Sequence, residues 1–317
     1  MKISVMGCGR WGSFIAWYLE RIPHQVTLYG RKGSKHLEQF RQTRFNGLLT
    51  LDEKIYLTDD MQEAVERAEM IVVSISAQSF RVFMKELEQC DLSKKCLILC
   101  MKGIESDTGK RLTEIAKEYT DCPLAIWVGP GHVQDFTRGI PNCMVIDSQD
   151  QALKIQLVHS FSSHLIRFYY GDDLLGNEIG AASKNVIGIA AGMLDGKGKT
   201  ALKGALMSRG TREIARLIHA MGGKEITAYG LGHLGDYQAT VFSEFSHNRK
   251  FGELYVQGMD YGELAEGVAT TKALLRLGEE YHVELPICKA VYDILYNKKN
   301  PDQILSDLFL RSIKMEF

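Results

Sequence analysis

Three charged side chains stand where a charge needs a reason. Lys184 lies inside the nearly apolar run Glu178-Ile179-Gly180-Ala181-Ala182-Ser183-Lys184-Asn185-Val186-Ile187-Gly188. Burying an unpaired cation is costly, so a lysine in such a stretch needs a partner or a chemical task. An amine held there can give or take a proton at a reacting carbonyl. At helical spacing Gly180, Ala181, Gly188 and Ala191 share its face, and these small neighbours are expected to leave room for a ligand or the sheet edge beside the amine. Asp236, in the glycine-rich turn Gly230-Leu231-Gly232-His233-Leu234-Gly235-Asp236, is a candidate partner for Lys184 across a cleft, or else a helix cap. Lys102 follows a buried apolar run at Met101-Lys102-Gly103, at the carboxyl edge where parallel sheets bind ligands; a solvated loop lysine accounts for the position equally well. Gly129-Pro130-Gly131-His132 follows the next such run. Ser246-His247-Asn248-Arg249-Lys250 gathers the convergent donors that a small anion requires, or is a polar surface turn.

The start of the chain supplies a second kind of chemistry. Lys2-Ile3-Ser4-Val5-Met6 leads into Gly7-Cys8-Gly9-Arg10-Trp11-Gly12, followed by a helical pattern that ends before Pro23 and a second strand at Gln25–Tyr29. Strand, G-x-G-x-x-G and helix together form a dinucleotide-binding fingerprint. Gly7 permits the tight turn, Gly9 the close approach of a pyrophosphate, and Gly12 the contact of helix with strand. The phosphates belong on the N-terminus of that helix. NAD-specific sites place Asp or Glu at the end of the second strand, to hold the ribose 2′-hydroxyl. This chain has Gly30-Arg31-Lys32 there. Two cations suit a 2′-phosphate, so NADP or NAD is the expected cofactor with NADPH favoured; a solvated turn is the other explanation of Arg31 and Lys32.

The elements that must position these groups divide in two. The first half alternates strands with helices: strands at 54–58, 70–75, 95–101 and 124–128, helices at 61–68, 80–90, 111–119 and 151–163, and an edge strand at 165–170. That alternation predicts a doubly wound, mostly parallel sheet. After Gly171 the pattern turns helical: 174–194, 200–221, 227 onward, 261–281, 286–297 and 301–310. The expected organisation is an α/β dinucleotide-binding domain over residues 1–171 and an all-α substrate domain over 172–317.

Bulk properties exclude several alternatives. The 317 residues are 45% hydrophobic and 24% charged, with a net charge of −1. That composition is ordinary for a globular protein and offers no basic field for nucleic acid. No run reaches the ~18 apolar residues of a membrane span. The first residues lack a signal peptide's regions, so the expected location is cytoplasmic. Seven cysteines without a C-x-x-C pair are expected to be reduced thiols, and nine histidines without H-x-x-x-H or H-E-x-x-H predict no metal.

The motifs resemble, from end to end, those of NAD(P)-dependent sn-glycerol-3-phosphate dehydrogenases. Gly7–Gly12 resembles GAGxWG, and Lys102-Gly103-Ile104-Glu105 resembles SKGIE. Gly129-Pro130 with Arg138-Gly139-Ile140-Pro141 resembles GPSFAxE…GLP, and Gly180–Gly192 resembles GALKNVIAIAAG. Ser208-Arg209-Gly210 resembles TRG, Gly235-Asp236 resembles GLGDL, Asn248–Gly252 resembles NRRFG and Glu266-Gly267 resembles VEG. The resemblance implies reversible reduction of dihydroxyacetone phosphate to sn-glycerol 3-phosphate, feeding glycerophospholipid synthesis. It implies Lys184 as general acid, Asp236 as its tuning partner and Lys102 as the residue that polarises the carbonyl. Substrate would be held by Lys102, Gly129, Gly131, Lys184, Asp236, Ser246, His247 and Asn248. Cofactor would be held by Gly7, Gly9, Arg10, Trp11, Gly12, Arg31, Lys102, Val133, His247, Leu264 and Glu266. A homodimer is the expected assembly. The runners-up are a related two-domain ketone or hydroxy-acid reductase and a catalytically weak dinucleotide sensor, but a sensor needs no proton donor.

Three positions depart from that pattern. Gly131 replaces a hydroxyl residue, Val133 a small Ala, and His247 the first Arg of S-R-N-R. Imidazole cannot reproduce a bidentate guanidinium. A weaker grip on the phosphate, or a shifted substrate, is the expectation.

Overall fold

The computed structural model describes residues 1–310 and resolves two compact units. One comprises residues 1–102 and 110–174; the other comprises 103–109 and 175–310 among the described residues.

The first unit is built on eight strands: β1 (Lys2–Met6), β2 (Gln25–Tyr29), β3 (Tyr56–Thr58), β4 (Met70–Val73), β5 (Cys96–Leu99), β6 (Leu124–Val128), β7 (Asn142–Ser148) and β8 (Ile166–Tyr170). Their order is β3-β2-β1-β4-β5-β6-β7-β8. All neighbouring strands are parallel except β6 and β7. Strand order reverses between β1 and β4, and the carboxyl ends of strands beside such a switch point are where doubly wound sheets take their ligands. The inner strands β4, β5 and β6 are apolar throughout because helices cover both faces of the sheet. Those helices are α1 (Arg10–Arg21), α2 (Lys35–Thr43), α3 (Met61–Glu66), α4 (Phe80–Leu87), α5 (Leu112–Lys117), α6 (Val133–Thr137) and α7 (Gln151–Phe161).

β7 is absent from the sequence reading. Its apolar stretch is only Met144-Val145-Ile146, bracketed by Asn142 and Asp147, yet pairing on both sides buries it. Asp147 is compensated locally: Lys154 Nζ lies 3.4 Å from its Oδ1 and 2.6 Å from the Gly171 carbonyl.

The second unit is helical: α8 (Leu174–Gly196), α9 (Lys203–Ala220), α10 (His247–Val256), α11 (Glu266–Glu280), α12 (Pro286–Leu295) and α13 (Pro301–Phe309). α8 is buried along nearly all its length. Its glycines make that possible. A Cβ on Gly192 would fall 1.9 Å from the Arg249 carbonyl oxygen, and one on Gly252 would fall 2.1 Å from that of Ile189, so α8 and α10 touch backbone to backbone. The region from 227 onward, expected as a helix, is a chain of short 3-10 turns at Glu225–Tyr229 and Leu234–Asp236, followed by a single π turn at Gln238–Phe242. Gly230, Gly232 and Gly235 fall within six residues, each costing about 1 kcal/mol relative to alanine in a helix interior. No helix among the described residues is long and apolar enough to cross a membrane.

Candidate functional site

Each unit carries its own cluster. In the first, the turn between β1 and α1 is shaped by its glycines. Gly7 has φ of 119°, and a Cβ there would lie 2.1 Å from the Ser74 carbonyl oxygen. A Cβ on Gly12 would lie 1.9 Å from the Gly7 carbonyl oxygen. Gly9 is different: nothing of the chain lies within 4 Å of where its Cβ would stand. Gly9 is also the N-cap of α1, with no side-chain cap and no acidic residue in the first turn. Two glycines are thus required by the fold itself, while the third leaves open backbone at a helix N-terminus, which is what a pyrophosphate needs. The residues present fit a dinucleotide. Arg31 and Lys32 are exposed just beyond β2, and Arg10 is exposed on α1.

Trp11 stands over an aromatic stack. Its ring centroid is 5.0 Å from that of Phe14 and 6.3 Å from that of Phe136, and Phe14 stacks on Phe136 at 4.9 Å. Lys102 Nζ donates to the Gly129 carbonyl at 2.6 Å and lies 6.0 Å from the Trp11 ring centroid. Lys102, Trp11 and the 129–131 loop therefore do come together. Phe136 supplies a physical reason for Gly131: a Cβ at 131 would fall 2.3 Å from Phe136 Cε2 and 2.6 Å from its Cζ. Phe136 is 1% exposed and packed on Phe14, so its ring cannot simply turn aside. Val133 is also buried and gives its side chain to the core.

In the second unit, Lys184 is 7% exposed and Asp236 fully buried, with Nζ 2.6 Å from Asp236 Oδ2. The pair forms inside the helical unit, which replaces the expectation of a pairing across a cleft. Lys184 Nζ also donates to Thr240 Oγ1 at 2.9 Å, and that hydroxyl in turn donates to the Asp236 carbonyl at 2.8 Å. The space over Gly180 and Gly188 is taken by the unit's own chain. A Cβ on Gly180 would fall 3.0 Å from His233 Cβ, and one on Gly188 would fall 2.7 Å from Thr240 Cγ2. Gly180 and Gly188 thus admit the 233–240 turns against α8.

The segment 246–250 divides. Ser246 caps α10, accepting from the Arg249 amide at 3.3 Å, which leaves its hydroxyl proton able to donate. Asn248 bridges two helices: its Nδ2 donates to Asn185 Oδ1 at 3.1 Å, and its Oδ1 accepts from the Gly267 amide at 2.9 Å. Arg249 leaves the expected anion cluster. It lies 2.7 Å from Asp195 Oδ2, which also holds Lys203 at 2.5 Å, and its Nε donates to the Ser243 carbonyl. His247 Nδ1 sits 2.5 Å from the Tyr261 hydroxyl and 3.0 Å from Glu263 Oε2. Leu264 is 63% exposed, and Glu266 opens α11.

Thr240, His233 and Tyr237 escape the sequence reading. His233 Nδ1 lies 2.7 Å from the Gly180 carbonyl oxygen and Nε2 lies 2.7 Å from the Tyr237 hydroxyl. Burial pushes the imidazole down to about 4 and the Tyr237 hydroxyl well above the ordinary phenol range. The signal that could have found them is spacing: His233, Asp236, Tyr237 and Thr240 recur at the three- and four-residue intervals of one buried face.

Comparison with known proteins follows this geometry. Residues 2–154 match the family described as NAD-dependent glycerol-3-phosphate dehydrogenase N-terminus, and residues 173–306 match the corresponding C-terminus. A glycerol-3-phosphate dehydrogenase [NAD(P)+] of Thermoanaerobacter sp. (strain X514) is 35% identical over 327 aligned positions, covering 100% of this chain and 99% of the relative. One from Clostridium botulinum (strain Alaska E43 / Type E3) is 35% identical, with 99% of each chain covered. Among solved structures, glycerol-3-phosphate dehydrogenase from Coxiella burnetii superimposes with a TM-score of 0.92 at 25% identity, covering 98% of each chain.

Proposed function

This chain belongs to the NAD-dependent glycerol-3-phosphate dehydrogenase family, and from that premise we propose that Lys184 is the proton donor in reduction of dihydroxyacetone phosphate to sn-glycerol 3-phosphate. One observation carries the assignment: a lysine ammonium buried in an apolar helix, held at 2.6 Å by a fully buried carboxylate. An ion pair so placed is expensive to build and a weak device for stability, so a chemical task is its better explanation.

NADPH or NADH would be held by the open backbone at Gly9 and the N-terminus of α1, and would supply the hydride for C2. Lys184 Nζ gives its proton to the C2 carbonyl oxygen, and takes one back from the alcohol in the reverse direction. Asp236 Oδ2 and Thr240 Oγ1 fix the amine's direction. Lys102, whose ammonium donates to the Gly129 carbonyl, polarises the substrate carbonyl. Ser246 and Asn248 are the helical unit's candidate phosphate contacts, each with a donor proton to give; the backbone around Gly129 and Gly131 is the first unit's. Gly7, Gly9, Arg10, Trp11, Gly12, Arg31 and Val133 are the first unit's candidate cofactor contacts, and Leu264 and Glu266 are the helical unit's.

Arg31 and Lys32 follow β2 closely, where the chain carries no Asp or Glu, and favour NADPH. Gly131 and His247 supply fewer phosphate donors than a hydroxyl residue and an arginine would, which favours a raised KM for the phosphorylated substrate or a shifted substrate. The working form is a homodimer in the cytoplasm. The test is NADPH oxidation with dihydroxyacetone phosphate against an unphosphorylated ketone of similar size. Turnover confined to the phosphorylated substrate supports the reading; turnover confined to the other refutes it.

A further inference from the structure

His233 joins the two chain segments that carry the ion pair. Gly180, whose carbonyl it contacts, lies one helical turn before Lys184 on α8; Asp236 lies three residues after His233. The imidazole is wholly buried, as is the Tyr237 ring. A carbonyl oxygen can only accept, so Nδ1 carries the proton toward Gly180. In a neutral ring Nε2 is then an acceptor, and the Tyr237 hydroxyl is its donor. Both ring nitrogens are therefore matched, and each match selects the same tautomer.

The groups facing this bridge come from four elements. Lys184 on α8 and Asp236 in the adjoining turn act on the imidazole. Glu213 on α9 and Cys288 on α12 act on the Tyr237 hydroxyl. A protonated imidazole would stand beside the Lys184 ammonium and compete for Asp236. A neutral one binds the two segments without adding a second cation.

We propose that His233 and Tyr237 form a positioning bridge for the Lys184–Asp236 pair: Tyr237 locks the imidazole in its Nδ1–H tautomer, and that proton holds the Asp236 turn against α8. The bridge touches no substrate. It rests on the reading of Lys184 as proton donor and acts by keeping carboxylate and amine in register.

The experiment uses the full chain with four substitutions: Tyr237→Phe, His233→Asn, His233→Gln and Lys184→Ala. Asparagine places an amide N–H near the position of Nδ1 and keeps the bond to Gly180; glutamine reaches toward the Nε2 position and loses it. Tyr237→Phe and His233→Gln should lower kcat about tenfold, as small misplacements of a catalytic group do, while His233→Asn stays within about threefold of wild type. KM for NADPH should not move. In the first two variants the alkaline limb of kcat should shift to lower pH, because an amine less well held by its carboxylate loses its proton sooner. The ¹⁵N spectrum of the cofactor-free wild-type chain should show His233 as the neutral Nδ1–H form.

Wild-type kcat and pH profile in folded Tyr237→Phe, a change of one oxygen that leaves the ring in place, would overturn the bridge. So would an Nε2–H tautomer, a loss of kcat with an unmoved alkaline limb, or glutamine rescuing as well as asparagine. If Lys184→Ala retains full activity, the proton-donor reading falls and takes the bridge with it. If Lys184→Ala is inactive while Tyr237→Phe is normal, the bridge alone is wrong.

Discussion

Lys184 Nζ and Asp236 Oδ2 stand 2.6 Å apart with Asp236 shut off from solvent, and both residues belong to the helical unit. The proton-handling group and its counter-charge are thus a property of one unit's packing. Replacing Asp236 with asparagine keeps the shape and removes the charge. The expected result is a loss of about 3 kcal/mol in urea unfolding, the scale for breaking one side of a buried pair. kcat should fall by ~10²-fold, the lower range for general acid catalysis. A variant as stable and as active as wild type would contradict the pairing.

Gly131 and Phe136 should behave as one unit of packing. Gly131→Ser drives an atom into the Phe136 ring and is expected to cost about 1–3 kcal/mol, as overpacking does. Phe136→Leu opens that space, so the double variant should be more stable than the sum of the singles predicts. Its added hydroxyl should also lower KM for dihydroxyacetone phosphate. Simple additivity, with no change in KM, would show that the two positions are unrelated and that residue 131 lies outside the phosphate's reach.

Cofactor choice should follow Arg31. Losing one charge-assisted contact to a 2′-phosphate is worth roughly tenfold in affinity, so Arg31→Ala should reduce kcat/KM for NADPH by about that factor. For NADH the change should stay within about twofold, since it has no 2′-phosphate to lose. Equal losses for both cofactors would refute the role.

Two buried groups should tilt stability in opposite directions with pH. Glu213 caps the N-terminus of α12, accepting from the amides of Ile287 and Cys288, and burial raises its carboxyl to about 6. The folded state therefore binds this proton more tightly than the unfolded chain does. The stability it contributes is full below about pH 4.5 and is lost as pH rises through 6. His233 is lowered to about 4 by its burial, so the unfolded chain takes up that proton first. Its contribution is present above about pH 6.5 and is lost as pH falls toward 4. The two swings are each on the order of 2–3 kcal/mol and largely cancel between pH 4.5 and 6. Unfolding free energies taken relative to wild type across that window isolate each contribution. They should fall toward acid in Glu213→Gln and toward neutral pH in His233→Asn. Parallel curves for all three proteins would contradict this balance.

The glycine turn was legible because each of its three glycines answers a different geometric demand within six residues and the flanking patterns agree. Lys184 was legible because a charge in an apolar helix is a local contradiction. Asp236 was legible as a carboxylate but not as a buried one. What surrounds the pair was not readable: Thr240, His233 and Tyr237 follow a glycine-broken stretch that reads as a failed helix, and they acquire meaning only when 3-10 and π turns line them up. The glycines of α8 are legible as a small-residue stripe but their neighbours are not, since such a stripe admits a ligand and packed chain equally; here α10 and the 233–240 turns lie over Gly180, Gly188 and Gly192. Arg249 read as an anion donor because its partner Asp195 lies 54 positions away. Strand β7 was missed because burial from both neighbours, not its own three apolar residues, makes it a strand.

The most direct measurement is the rate of NADPH oxidation by Lys184→Ala at saturating dihydroxyacetone phosphate, with NADPH affinity followed separately by its fluorescence. The account predicts that turnover falls by at least ~10³-fold, within the range for removing a general acid, while the nucleotide still binds as in wild type. Turnover within a few-fold of wild type, with the variant folded and NADPH bound, would contradict it.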